Sequence, residues 1–461
     1  MASKLSTREG NIREFVLSQA KNKGISIDLT EIIVDIKYYE NVLSNAISLT
    51  IIIAETGGSD VGSVGNRGIL DGLPVRGGEP CDIVIEDHDG NVLKFKDENK
   101  LYVNRVRNAI PGTQKDVYAI DFTSRECFAN EQCRVVRRYE GKISDNVKDI
   151  LKKSISKDAG IKTEKEVDVD ETLIPYNFIG NDKKPFYICT WLASKSIPML
   201  EGKQGLGGAA GYLFYETHDG FKFKSIDVLF DEKKNEPKGK YIFTNTPDNP
   251  SDGVYDGKVL SYDIVKNIDL QNNLSMGNYS NRTIFFDFYM NNYKVRKFNV
   301  DDKAPSTDNQ GGSKGKINTL GDEDIDSVAD EFRLPPSRFM NRVLDVGTLP
   351  AGRSTKEQLE KWKENPDVPT YDATQTMVQS LMRYNQMFAI KINITIAGDF
   401  SLRAGDLVYF DFPQLTVDPD TEVNEQSGGL YMISSLCHNL TPEETYTSLT
   451  LVRDTFGRKP Y

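Results

Sequence analysis

Apolar and polar positions in this chain alternate with a period of two over most of its length, which predicts β-strands rather than helices. The runs ISIDL (25–29), EIIVDIKYYEN (31–41) and AISLTIIIAE (46–55) are rich in β-branched residues and predict three strands. CDIVIED (81–87) and NVLKFK (91–96), separated by a turn at Asp89-Gly90, predict a hairpin. Two further strands flank Pro111. Residues 11–23 fit a short helix with Ile12, Phe15 and Val16 on one side and Gly24 as its stop. Between the strands, the glycine-rich stretch 55–78 is too polar for core and longer than a simple connection requires.

The period changes at 143–159, where Val147, Ile150, Leu151 and Ile155 share a helical face, Ser144 stands at the cap position and Gly160 ends the run. Pro185 opens a second helix, FYICTWLASK, with Trp191 and Leu192 available for packing. A hairpin follows, YLFYET and FKFKSIDVLF about Asp219-Gly220. Strands resume with KVLSYDIVKNIDL and RTIFFDFYMNNYKVRKF, which read as the opening of a second β domain. Residues 300–371, rich in Asp, Gly, Pro and Lys with short apolar pieces such as FMNRVLDV, predict an extended arm. Asp372 and Gln375 offer a capping box to a helix whose Thr374, Met377, Val378 and Leu381 share a face. FAIKINITIAG (388–398) returns to strand.

One pattern occurs twice. RGGE (76–79) opens CDIVIE, LYVNRVRN (101–108) rises to Pro111, and VYAIDFTSRECF (117–128) descends. RAGD (403–406) opens LVYFDF, LYMISSLCHN (430–439) rises to Pro442, and YTSLTLVRDTF (446–456) descends. An Arg precedes Gly and acid at the same spacing, Asn108 and Asn439 each precede the turn proline by three, and Tyr118, Arg125 and Phe128 match Tyr446, Arg453 and Phe456. Any hairpin needs alternation and a turn, but matched polar landmarks over some fifty residues indicate duplication. The expected organisation is a first β domain at 1–135, an α+β insertion at 136–255, a second β domain at 256–300 with 388–461, and an arm with its helix at 301–387.

Composition narrows the function classes. The 461 residues suffice for several domains. Lys+Arg 57 against Asp+Glu 68 gives a net charge of −11, unsuited to gripping nucleic acid and suited to a surface it slides past. Five scattered cysteines (Cys81, Cys127, Cys133, Cys189, Cys437) without a CxxC pair favour reduced thiols over a disulfide framework or zinc site. The N-terminus lacks an apolar signal core, and no run reaches the ~18 apolar residues of a membrane span.

Catalytic patterns are looked for and not found. Gly205, Gly207, Gly208 and Gly211 follow a helix and precede a strand, the reverse of a dinucleotide loop, and GGSKGK (311–316) lacks phosphate-loop spacing. His88 and His218 belong to hairpin turns and His438 to a strand end; DPDTE (418–422) lacks a calcium loop's glycine, and DEDID (322–326) is an acidic run of no catalytic pattern. A glycosidase carboxylate pair has nothing to mark it. No catalytic, cofactor-binding or metal-ligating residue is assigned, and no enzymatic activity is expected.

The order β domain, insertion with YLFYETHDGFKFKSID, second β domain, and closing LRAGDLVYFDF, LYMISS and SLTLVRD resembles the T-even-like baseplate hub proteins of contractile phage tails. More distantly it resembles the hub half of type VI secretion spike proteins. The resemblance implies a β-dominated α+β chain with two similar tail-tube-like β-barrels, an inserted α+β domain and an arm. It implies a homotrimer of pseudo-sixfold symmetry that joins the sixfold tail tube, or a tube-initiator ring, to a threefold central spike. DNA or tape-measure protein would pass through its lumen, baseplate wedge proteins could bind outside, and the location would be the virion tail baseplate, assembled in host cytoplasm. The chain's acid excess would then keep the lumen wall from trapping DNA, and a charge at Ile83 or Val408 would break assembly. Two alternatives are a hub of a non-phage injection or secretion spike and a tail-associated cell-wall hydrolase.

Overall fold

The computed structural model describes residues 9–19, 25–55, 69–73, 75–110, 116–153, 160–173, 175–199, 209–243, 258–287, 291–299, 318–321, 328–343, 373–413 and 424–458. Its centre is one large, mostly antiparallel sheet. The first set of strands is β1 (Asn11–Ser18), β2 (Ser26–Asp28), β3 (Ile33–Asn41), β4 (Ser48–Glu55), β5 (Pro80–Glu86), β6 (Val92–Phe95), β7 (Leu101–Ile110) and β8 (Asp116–Ser124). A short helix α1 (Ile69–Gly72) precedes β5. β1 replaces the helix expected at 11–23. Ile12, Phe15 and Val16 satisfy a helical stripe, but Phe15 and Leu17 are the fully buried pair, two apart, and β1 pairs with β5 as Phe15 opposite Ile83. An available sheet edge outweighs a weak local preference.

The chain continues as α2 (Arg125–Gln132), β9 (Arg138–Tyr139), α3 (Ile143–Lys152), β10 (Val167–Val169), β11 (Phe178–Ile179), α4 (Pro185–Ala193), β12 (Tyr212–Thr217), β13 (Gly220–Ser225) and α5 (Ile226–Leu229), most of it within the expected insertion. α4 starts at its proline as expected, whereas Ser144 does not cap α3. Lys142 holds the cap position, and Ser144 sits inside the helix with its N–H donating to Thr172. Likewise β8 stops at Ser124, so Arg125 and Phe128 are helical, and β13 stops at Ser225, so IDVL forms a helical turn.

The rest of the chain supplies β14 (Lys240–Ile242), β15 (Val259–Lys266), α6 (Leu270–Met276), β16 (Ser280–Asp287), β17 (Asn292–Asn299), α7 (Asp330–Arg333), β18 (Arg338–Val343), α8 (Ala373–Met387), β19 (Ile390–Ala397), β20 (Leu407–Asp411), β21 (Gly429–Leu440) and β22 (Thr445–Arg453). β16 and β17 do not join β15 in the large sheet, as the sequence pattern suggested, but form a separate sheet in the order β17-β16-β18. α6 breaks the path between them: Asp269 caps it, accepting from the Asn272 N–H at 3.0 Å, and redirects the chain. Phe285 and Phe298 of this sheet, with Met377, Val378 and Met382 of α8, complete the core begun by Val147, Ile150, Leu151 and Leu192. The arm is therefore not wholly extended: β18 is paired, and Leu320 is fully buried against the C-terminal end, its N–H donating to Asp454. Asp372, the expected cap of α8, lies outside the described residues, as do Gly205, Gly207, Gly208, GGSKGK, DEDID, DPDTE and most of the loop at 55–78.

The large sheet runs β15-β19-β22-β21-β3-β4-β8-β7-β5-β1-β2, with β20, β14 and β6 attached beside it; among the described residues this path is open and no barrel closes. The same five-strand order occurs twice along it, as β3-β4-β8-β7-β5 and as β15-β19-β22-β21-β20. Two irregularities also coincide, while slips between Arg107 and Ile110 and between Ile264 and Lys266 occur in one set only. In one set Phe122 pairs with Val103 and Leu49, and Leu49 with Tyr38. In the other Leu451 pairs with Ile433 and Ile392, and Ile392 with Ile264. The ladder slips directly after Val103 and after Ile433, and again between Ile33 and Asp35 and between Val259 and Ser261. Bulges are specific local devices, so their recurrence at matched positions binds the two sets together more tightly than shared alternation does.

Candidate assembly interface

The turn that opens each set is built alike. In RGGE the Glu79 carboxylate accepts from the Arg76 N–H at 2.8 Å; in RAGD the Asp406 carboxylate accepts from the Arg403 N–H at 2.9 Å. The Gly78 N–H donates to the Val103 carbonyl and the Val103 N–H to the Glu79 carbonyl, as Gly405 and Ile433 do with each other and Asp406. Both glycines sit at positive φ, +86° and +96°, the region a side chain disfavours. These bonds set Val103 against Ile433 and Phe122 against Leu451, one residue away from the landmark spacing. Arg125 then falls opposite Asp454, not Arg453, and the two arginines work differently. Arg453 is fully buried, donates to the Gly428 and Gln426 carbonyls and lies over the Tyr431 ring, whereas Arg125 donates to the Lys162 carbonyl.

Where the two sets meet, β21 does double duty. Its first half pairs with β20 and its second half, Ser435–Leu440, pairs antiparallel with β3, Leu440 opposite Ile36 and Ser435 opposite Asn41. This seam is pinned by Glu40, only 2% exposed. Its carboxylate accepts from the Tyr38 hydroxyl and the His218 N–H, both at 2.7 Å, and from the Ala404 N–H at 2.9 Å. One carboxylate thus ties the first set, the insertion hairpin and the RAGD turn together. Burial holds the Glu40 carboxyl above its usual range, and the nearby Arg403 charge and these donors offset only part of that rise. Arg403 donates to Asp219 at 3.1 Å and to the Phe400 and Leu402 carbonyls. His438, buried beneath, meets the Thr447 hydroxyl at 2.9 Å; burial first, and the Arg403 charge next, push its imidazole down to about 3.

Other buried charges hold the insertion and arm in place. Arg383 of α8 donates to Asp454 at 2.7 Å and to the Asn318 carbonyl at 2.5 Å, with Asp227 at 3.5 Å. Lys165 lies between Glu216 at 2.6 Å and Glu126 at 3.7 Å, and Glu216 also accepts from the Ile47 N–H and the Ser124 hydroxyl. None of this charge pattern was legible as pairs in the sequence, because the partners lie up to 169 positions apart.

The far face of the large sheet is polar. Across β15, β19, β22, β21, β3, β4, β8 and β7 it carries Lys37, Arg105, Arg107, Lys266 and Lys391 against Asp35, Asp121 and Asp263. The acid excess of the chain therefore does not gather on this face among the described residues. Arg105 and Arg107 both bind Asp121, at 2.5 and 2.9 Å; burial opposes its ionisation, but Arg107, Arg105 and Thr50 together hold the carboxyl below its usual range.

Ile83 and Val408, expected at buried strand positions, are both fully buried, in the first and second core respectively. Of the three histidines, His88 lies against Asp89 at 3.1 Å, His218 bridges Lys94 and Arg403, and His438 is sealed in the seam. No group of three His, Cys, Asp or Glu that could hold a metal ion occurs among the described residues, and no helix among them is long and apolar enough to cross a membrane.

No family model matches the chain, and no curated protein does. Solved structures do. The tail protein from Neisseria meningitidis is similar at 10% identity and TM-score 0.50, over 97% of this chain and 97% of that one. The 43 kDa tail protein of prophage MuSo2 from Shewanella oneidensis follows at 9% identity and TM-score 0.49, over 96% and 100%. An Escherichia coli component of the type VI secretion system is similar at 8% identity and TM-score 0.40, over 98% and 79%. The first of these likenesses gives this chain the fold of a tail protein.

Proposed function

We propose that the chain is the central hub of a contractile phage tail baseplate, a homotrimer of pseudo-sixfold symmetry located in the virion. The observation that carries this reading is the five-strand set that occurs twice in one polypeptide, with two slips in register at matched positions. Each set with its attached strands is a tube-like barrel module, at 1–135 and at 256–300 with 388–461. Three chains then present six similar modules to a sixfold tube above and three whole subunits to a threefold spike below. The insertion at 136–255 and the arm at 301–387, braced by Lys165 and Arg383, lie outside the ring and are available to wedge proteins. The role is structural rather than catalytic.

The polar far face of the sheet would line the lumen for DNA or tape-measure protein. Its mixed charge, with Asp121 neutralising two arginines, replaces the acidic wall expected from net charge. A surface of interleaved signs offers a passing polyanion no continuous cationic track. The test is the mass of the purified protein, alone and mixed with a candidate spike protein. A three-chain particle that takes up three spike chains is expected; a monomer in both samples would overturn the reading.

A further inference from the structure

We propose that, in the assembled hub, β7 of one copy pairs antiparallel with β15 of the next, in the register of the internal seam between β21 and β3. The inference rests on the trimeric reading above and specifies the surface by which a second copy of this chain is recognised.

The argument starts from equivalence. The matched ladders make β7 the counterpart of β21 and β15 the counterpart of β3, in register up to Arg107 and at Lys266, where a slip after Arg107 and one between Ile264 and Lys266 have no counterpart in the seam. Within the chain, the second half of β21 covers the outer edge of β3. Its counterpart in β7, Arg105–Ile110, lies alongside β8 on one side, while β5 reaches only Leu101 and Tyr102 on the other. The edge of β15 facing away from β19 carries no named strand beside it among the described residues, only a single bridge from Ile242 to Lys258 just before its start. One half-seam is thus left at β15, where the path begins, and one on the half of β7 that β5 does not cover, and the two are the counterparts of the halves that meet in the middle.

Burial distinguishes the ends in the same way. Ile36 and Tyr38, under β21, are 0% exposed; their counterparts Tyr262 and Ile264 are 36% and 38% exposed. Leu260, Val265 and Ile268 extend that apolar surface. A long apolar edge strand open to water templates pairing with another chain unless something covers it. A head-to-tail contact of this kind closes into a ring when its rotation matches the internal one, and the internal seam already fixes that step.

The best-anchored pair in the interface is Arg107 with Lys266. Arg107 is the counterpart of Cys437 through Ala119 and Ser448; Lys266 is the counterpart of Tyr39 through Lys391 and Ser48. Cys437 and Tyr39 face each other in the seam. The like charges are tolerable there because Arg107 is already paired with Asp121.

The test is oxidative cross-linking of the full chain carrying Arg107→Cys and Lys266→Cys, compared with each single variant, with the parent and its own five cysteines, and with Arg107→Cys plus Val265→Cys. Directly opposite positions in an antiparallel pair suit a disulfide, whereas Val265, the extra residue at the slip between Ile264 and Lys266, has no opposite number in the seam. The expected result is covalent trimers on a non-reducing gel from the first pair, at least tenfold more than from the shifted pair. Hydrogen exchange on the unaltered protein provides a readout free of substitutions: amides of 262–266 should be slow in trimers and at least tenfold faster in dissociated chains. Trimers by mass with no specific cross-link and fast exchange at 262–266 would overturn this register while leaving the hub reading intact. Absence of any trimer would overturn the hub reading itself.

Discussion

At residue scale, the paired turns make a controlled comparison. Gly405 and Gly78 share a backbone conformation, but a Cβ on Gly405 would stand 2.3 Å from the Tyr215 hydroxyl, while one on Gly78 would meet nothing within 4 Å. Gly78→Ala should therefore cost about 1 kcal/mol, the conformational term alone, and Gly405→Ala roughly 2–3 kcal/mol, by urea unfolding. Equal losses would mean that the insertion hairpin is not held against the RAGD turn. His438 gives a pH prediction. Its folded pKa of about 3 lies below the unfolded value near 6.5, so the native state resists the proton and loses stability as pH falls below about 6.5, by about 1.4 kcal/mol per unit. Asp406 acts with the opposite sign: burial raises its carboxyl to about 6, so its contribution is greatest below the unfolded value near 3.9 and lost as pH rises through about 6. The two nearly cancel between pH 6 and 4. His438→Gln should gain stability relative to the parent as pH drops through that window, and Asp406→Asn should lose it, both followed by thermal melting against pH.

At element scale, the corrections share a cause. β1, the end of β8 and the end of β13 were ambiguous because a few apolar residues fit periods of two and of 3.6 alike, and the neighbour decided. The landmark arginines misled by one position for a related reason: spacing along a strand does not register a bulge, and β7 slips a second time, between Arg107 and Ile110, where β21 does not. Arg383 belongs at this scale because it joins α8 to the C-terminal end and the arm. Arg383→Met should destabilise by about 3–5 kcal/mol by leaving Asp454 and Asp227 buried without their cation. A smaller loss on denaturant unfolding, under 1 kcal/mol, would show that the arm is not anchored there. Val408→Asp places a carboxylate in the second core among Phe410, Ile433 and Leu451, and a loss on the order of 4 kcal/mol or more is expected. Its effect on assembly would follow from loss of that core, visible as lost near-ultraviolet circular dichroism before any change in mass.

At the scale of the whole molecule, stability and assembly separate at β15. Ile264 is partly exposed at the free edge, whereas the Tyr262 ring packs on Phe243, Phe410 and Phe412, so Ile264→Asp should leave the isolated chain folded, with a change within about 1 kcal/mol, yet shift the trimer toward monomer. Light scattering across a dilution series would measure the shift, and undiminished trimers would count against an interface at this strand. The insertion behaves differently, since its core is completed by β16, β17 and α8 from far along the chain. Excising residues 136–255 would strip the cover from Phe285 and Phe298 and should yield aggregation rather than a trimmed hub.

The sequence by itself determined the β-dominated class, most strands of both sets, the helices at Ile143–Lys152, Pro185–Ala193 and Ala373–Met387, and the existence of a repeated turn-and-ladder pattern. These are local properties: side-chain period, a proline at a helix start, a glycine where φ must be positive. Only the tertiary structure decided that β1 is a strand, that β16 and β17 leave the large sheet, which residues of the repeat are truly opposite, and that the net acid charge bypasses the polar face. Each of those depends on partners distant in the chain, and a pattern of alternation carries no record of which edge a strand will find or which face it will turn to that edge.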